Sequence, residues 1–118
     1  LAGLPSTKKT IPFAKAYEAK FDRVPILTWS ATTYDSLYVL ADAISRANTF
    51  DKDAVIRALE TTDYIGTRGR VRFTDDHDFL MAPGFHTPIF RQIVDLQNNV
   101  IWPSNLATSD WIDPRTAP

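Results

Sequence analysis

The chain has 118 residues, 44% hydrophobic and 23% charged, with Lys+Arg 13 against Asp+Glu 14, a formal net charge of -1 and no cysteine. These values suit one ordinary domain with a real core, and they exclude a disordered chain, a collagen-like fibre and a coiled coil. Near-neutral charge offers no field for nucleic acid or an anionic membrane, zero cysteine removes disulfides, Cys-ligated zinc and thiol nucleophiles, and no apolar run approaches the roughly 20 residues that cross a bilayer.

Residues 1–9 are polar and punctuated by Gly and Pro, a lead-in. Leu1 opens the chain without a basic or apolar leader, so the expectation is that any signal peptide has already gone. Phe13, Tyr17 and Phe21 then recur at spacing four, with Lys15, Glu18 and Lys20 between them. That spacing predicts an amphipathic helix of about three turns, with Thr10 and Pro12 in its first turn. Val24 to Trp29 is short, apolar and β-prone without polar alternation, which predicts a strand covered on both faces, as in a parallel sheet.

Residues 33–47 predict a second helix. Tyr34, Leu37, Tyr38, Ala41 and Ile44 form one apolar stripe that Val39, Leu40 and Ala43 widen, so the helix is expected to be largely buried. After a break at Asn48-Thr49, Asp51 is a suitable N-cap for a short helix over 52–60, with Val55, Ala58 and Leu59 facing inward. Phe50 and Val55 stand where a hydrophobic staple would form. Gly66 and Gly69 flank a turn, and Arg70 to Phe73 alternates as a half-exposed strand. Thr74 to Asp78 is a polar loop. Two β-rich runs, 88–96 and 100–102, are separated by Asn98-Asn99, which predicts a hairpin turning at those asparagines. A polar, Pro-punctuated tail follows. The order helix, strand, helix, helix, strand, hairpin indicates α/β layering, but the lone buried strand lacks visible parallel partners.

Few constellations carry chemistry. Asp75, Asp76, His77 and Asp78 could suggest a metal or acid/base cluster, yet an EF-hand counted from Asp75 would need Gly at Leu80 and Glu at His86, and a solvated turn explains the run better. Arg68, Arg70 and Arg72 could hold an anion, though the wet face of an exposed strand accounts for them. His86, beside Pro88, reads as a structural histidine. There is no G-x-S-x-G, H-E-x-x-H, phosphate loop or G-x-G-x-x-G, so the sequence implies no catalysis, cofactor or metal. The stretch Trp29, Ser30, Ala31, Thr32, Thr33 lies where the expected strand ends and a helix begins. Free N–H groups there could hold an anion, with Trp29 as an apolar wall and the hydroxyls as hydrogen-bonding groups. A core Trp followed by an N-cap fits the same spacing equally.

The runs FAKAYEAKF, TWSATTYDSLYVLADAI, DKDAVIRALE and YIGTRGRVRFTDDHD, with a β-rich end finishing VIWP, together resemble the C-terminal part of the branched-chain-amino-acid type of periplasmic substrate-binding protein. Tyr34-Asp35 opening a helix, and Gly69 to Asp78 against the pattern G-x-hydrophobic-x-F-D-x-x-G-D, carry most of the likeness, which covers about residues 10–103. Two departures stand out. His77 occupies a position that is usually Gly, and Asn98-Asn99 replaces an Asp-Gly or Asn-Gly turn.

The resemblance implies an α/β fold that is the C-terminal portion of a two-lobed body, incomplete on its own. Residues 1–83 would be a piece of the first lobe, 84–90 an inter-lobe crossing hinged at Pro83 and Gly84, and 91–118 a hairpin and tail of the second lobe. It also implies an extracytoplasmic, periplasmic solute-binding component of an ATP-driven (ABC) importer, not an enzyme. Its small-molecule ligand would be an amino acid or an aromatic or carboxylate compound, contacted by Trp29, Ser30, Thr32 and Thr33. Its partners would be a membrane permease and the missing N-terminal part of the same protein or another copy, not nucleic acid. A ligand-sensing receptor or regulator domain of the same fold is the alternative, and an enzyme using the His77 loop is a third class. On this reading the strand at 25–29 lies at a sheet edge or pairs with another chain or a lost fragment.

Overall fold

The protein is described here as a computed structural model, in which residues 6–82, 84–86 and 88–116 are placed, Leu27 by its backbone alone. It falls into two compact units that divide between Thr87 and Pro88.

The first unit begins with α1 (Thr10–Phe21). Its start is built from threonines, because Lys9, at the cap position, has no capping side chain. The Thr7 hydroxyl accepts from the Lys9 N–H at 3.1 Å and the Thr10 hydroxyl from the Thr7 N–H at 3.0 Å. Asp22 closes the helix in the left-handed region (φ 51°), its N–H on the Glu18 carbonyl, a conformation Asp tolerates better than most residues. The spacing-four stripe is real. Phe13, Tyr17 and Phe21 run ring to ring at 6.0 and 4.6 Å, and Phe13 meets Tyr34 of the next helix at 4.9 Å.

The strand expected over 24–29 is absent. Residues 24–26 have no regular structure, Ile26 being extended, and α2 (Leu27–Ala47) already includes Trp29. Pro25 is fully buried just before the helix. It lacks an N–H for a sheet ladder, while the Ile26 carbonyl takes the Ser30 N–H at 2.8 Å. The helical period also extends further back than the aromatic pattern suggests. The buried positions are Ala31, Asp35, Val39 and Ala43, spaced by four. The stripe expected to be buried is largely open, with Leu37 67% and Tyr38 45% exposed. Small residues and one carboxylate make the contact face, a pattern that a search for large apolar side chains misses. No described helix, α2 included, is long and apolar enough to cross a membrane.

Asn48, at φ 52°, ends α2. Asp51 caps α3 (Lys52–Glu60) as expected, accepting from the Ala54 N–H at 3.0 Å, and Val55, Ala58 and Leu59 are half-buried. The staple does not form a sheltered contact, since Phe50 is 86% exposed. β1 (Tyr64–Ile65) and β2 (Arg70–Val71) pair antiparallel around the Gly66–Gly69 turn, which the Gly66 N–H closes on the Gly69 carbonyl at 2.9 Å. The strand expected to reach Phe73 stops at Val71, and beyond it Phe73 bridges Phe79 alone. The loop between them turns at His77 (φ 65°), whose N–H reaches the Thr74 carbonyl. This is the position that carries Gly in the resembled pattern.

The second unit is a hairpin of β3 (Phe90–Val94) and β4 (Gln97–Trp102) with a tail laid on it. It turns at Asp95-Leu96 (φ 49° and 61°), not at Asn98-Asn99, which lie inside β4 opposite Ile93 and Gln92. With the turn there, Val94 pairs with Gln97 and a register shift between Phe90 and Arg91 sets Phe90 edge-on to Trp102 at 5.6 Å. Thr108 bonds Val100 through backbone and hydroxyl, and the Gln92 amide both donates to the Ile112 carbonyl and accepts its N–H. Among the described residues every strand pairing is antiparallel and two-stranded.

Leu96 is 96% exposed in a left-handed conformation, which costs an L residue about 1–2 kcal/mol. Leu96→Gly is therefore expected to stabilise the hairpin by about 0.5–1 kcal/mol, net of the extra flexibility of glycine. Urea denaturation would show a raised midpoint at unchanged slope, and a lowered midpoint would contradict the turn assignment.

Candidate functional site

The polar chemistry of the first unit converges on the 66–69 turn. Asp35, in the third turn of α2, is 6% exposed. Its carboxylate accepts from the Thr67 N–H at 2.8 Å, the Thr67 hydroxyl at 3.0 Å and the Arg68 N–H at 3.3 Å. On the other side the Thr7 hydroxyl donates to the Gly66 carbonyl at 2.8 Å and the Thr10 hydroxyl to the Thr67 carbonyl at 2.6 Å. Thr10 and Thr67 are 2% and 1% exposed. No described buried side-chain polar atom lacks a partner, as a buried polar network requires. The turn thus bolts the start of α1 to the first half of α2.

Gly66 is required by proximity. A Cβ there would stand within 2.6 Å of Asp35 Cγ and closer to its oxygen. At Gly69 a Cβ would meet the Phe85 carbonyl at 2.9 Å, so residues 85–86 lie directly on the turn. The Arg70 guanidinium covers the Phe85 ring at 5.2 Å, and the His86 ring stacks on Phe79 at 5.5 Å. His86 lines a cavity of about 290 Å³ with Thr32, Asp35, Ser36 and Val39. Its imidazole is held below its ordinary pKa first by burial and then by Arg68, with Asp35 opposing.

The expected ligand contacts all sit on α2. Trp29 is 74% exposed in its first turn, Ser30 and Thr32 are half-buried, and Thr33 is exposed. The geometry assumed for them, a strand end feeding a helix start, does not hold. The Trp29 and Ser30 N–H groups are both spent on the Ile26 carbonyl and cannot serve an anion. Thr32 accepts from Arg68 Nη1 at 2.7 Å, so a candidate contact is tied to the turn. Of the expected hinge residues, Gly84 is left-handed (φ 83°) with open space where a side chain would go, and Pro83 lies outside the described residues.

The three arginines do not form one anion-binding face. Arg70 and Arg72 both engage Asp63, whose carboxyl is lowered by its bond with Arg70 while Arg70 is raised in return. Asp63 is a partner the sequence reading missed, although its spacing from Arg70 and Arg72 across a turn is a readable signal. His77 is exposed and approaches Glu60 at 3.2 Å. Between α1 and α2 an open aromatic groove of about 680 Å³ is lined by Phe13, Tyr17, Phe21, Tyr34 and Tyr38. Hydrogen bonding with Tyr38, then burial, pushes the Tyr34 phenol up to about 12.

Residues 3–87 match the model of a family described as periplasmic binding protein. Two solved structures share the fold. A leucine-binding protein, LivK, from Thermotoga maritima is 21% identical with a TM-score of 0.69, over 85% of this chain and 27% of that one. A Silicibacter pomeroyi protein presented as a branched-chain amino acid ABC transporter is 25% identical with a TM-score of 0.70, over 92% of this chain and 32% of that one. No curated protein matches the chain. The chain spans about a third or less of the length of those two structures. The matched stretch holds α1 to α3, the tight turn and the network that binds them, and on that match the chain belongs to the periplasmic binding protein family.

Proposed function

We propose that the chain is the C-terminal part of an extracytoplasmic solute-binding protein that captures an amino acid or an aromatic or carboxylate compound between two lobes and presents it to the membrane permease of an ABC importer. The family match over 3–87 carries this reading, and the descriptions of the two structural neighbours, which name leucine and branched-chain amino acids, favour an amino acid among these ligands. Residues 1–83 belong to one lobe, 84–90 to a crossing and 91–118 to the other lobe. Binding works by population shift between open and closed lobes, with no covalent step.

Trp29 with Ser30, Thr32 and Thr33 forms one wall of the ligand site. A tryptophan left 74% exposed in the first turn of a helix is a large, mostly open apolar face, and stacking on a ligand would bury it. Titrating the intact protein with amino acids and aromatic acids is expected to change Trp fluorescence, with the change lost and affinity weakened about tenfold or more in Trp29→Ala. Unchanged affinity in that variant removes Trp29 from the site. The broader reading fails if none of these compounds raises the melting temperature, because a ligand at 100 times its Kd adds about 2.7 kcal/mol.

A further inference from the structure

We propose that His86 is a pH-sensitive latch that holds the segment leaving the first unit against the 66–69 turn when neutral and releases it when protonated. The segment 84–86 is seated on the turn by specific contacts. Its backbone lies on Gly69, Phe85 sits under the Arg70 guanidinium, the Phe85 N–H reaches the Ala82 carbonyl at 3.0 Å, and the His86 ring lies over Phe79. Gly84, left-handed and unobstructed, is the pivot about which such a segment lifts with little resistance.

The groups facing His86 come from each element around it. From the turn comes the Arg68 cation, from α2 the Asp35 carboxylate with Thr32 and Ser36, and from the 73–79 loop the Phe79 ring. Asp35 is the only anion among them, and its oxygens are already committed to Thr67 and the Arg68 N–H. A proton on His86 therefore places a half-desolvated cation beside Arg68 without a free counter-ion. Burial and Arg68 both act to keep the ring neutral. The sign follows. A base whose folded pKa lies below its ordinary 6.5 leaves the segment fully seated above that pH. The seating weakens as pH falls from there toward the folded value, by about tenfold for each unit of depression. The latch itself is independent of the proposed function, while its consequence for lobe movement rests on the reading of 84–90 as a crossing.

Backbone amide exchange by NMR, corrected for intrinsic rates and read without any ligand, tests the latch separately from that reading. The Phe85 amide is expected to lose protection between pH 7.5 and pH 5 in the wild type, while the Thr67 amide on Asp35 keeps its own. In His86→Phe, which preserves the stack and removes the charge, Phe85 protection should not vary with pH. Equal loss in both proteins, or none in either, overturns the proposal. If the variant does not fold, the His86 ring titration in the wild type decides, and a midpoint at or above that of the urea-denatured chain overturns it.

Discussion

Asp35→Ala is expected to destabilise the first unit by about 3–5 kcal/mol. The side chain answers two backbone N–H groups and a buried hydroxyl, and each buried donor left unpaired costs about 1–3 kcal/mol. A loss of this size is a large share of the stability of any small domain, so the urea midpoint should fall sharply or the native baseline vanish. Asp35→Asn separates charge from shape. Its oxygen can still accept from Thr67, but its NH2 would face a donor, so a smaller loss is expected. A loss below about 1 kcal/mol for Asp35→Ala would mean that water replaces the carboxylate readily, and that the turn is not held by it.

Gly66→Ala carries the second large effect. A methyl cannot enter where Asp35 Cγ stands 2.6 Å away, so turn or helix must move, at about 1–3 kcal/mol. Because the obstacle is the Asp35 side chain, the two substitutions are coupled. In an Asp35→Ala background the added methyl meets space, and Gly66→Ala should cost much less than it does alone. Strictly additive losses would show that Gly66 is needed for its backbone conformation and not for the room it leaves.

These residues also show what was legible. Local signals were read correctly, including the aromatics at spacing four that make α1, Asp51 capping α3 and the glycines flanking a turn. Misreadings arose where one pattern serves two structures. Val24 to Trp29 is apolar enough for a buried strand, but among the described residues the first strand comes only at Tyr64, and a helix starting at Leu27 satisfies the backbone internally. The hairpin turn shifted because Asp95 and the asparagines all tolerate positive φ, and nothing local predicts Leu96 there. At the site, Asp35 was visible as part of a motif, but Thr67 stands 32 residues away and no periodicity links them. Trp29, Ser30 and Thr32 were expected at a strand end and cap ahead of the helix, whereas all of them lie within α2, because the helix begins at Leu27.

The turn network also carries a direction. Its carbonyls, at Gly66 and Thr67, point to the hydroxyls of Thr7 and Thr10, while its N–H groups, at Thr67 and Arg68, point to the Asp35 carboxylate. The peptide planes of the turn are oriented dipoles set between donors on one flank and an acceptor on the other. Reversing the turn between the two helices would aim a buried carboxylate at carbonyl oxygens that cannot donate to it, while the threonine hydroxyls, which accept as well as donate, would be indifferent to the change. The way the turn sits between α1 and α2 is thus specified by hydrogen-bond polarity on its Asp35 flank, and not only by the shapes of the side chains that fill the space between them.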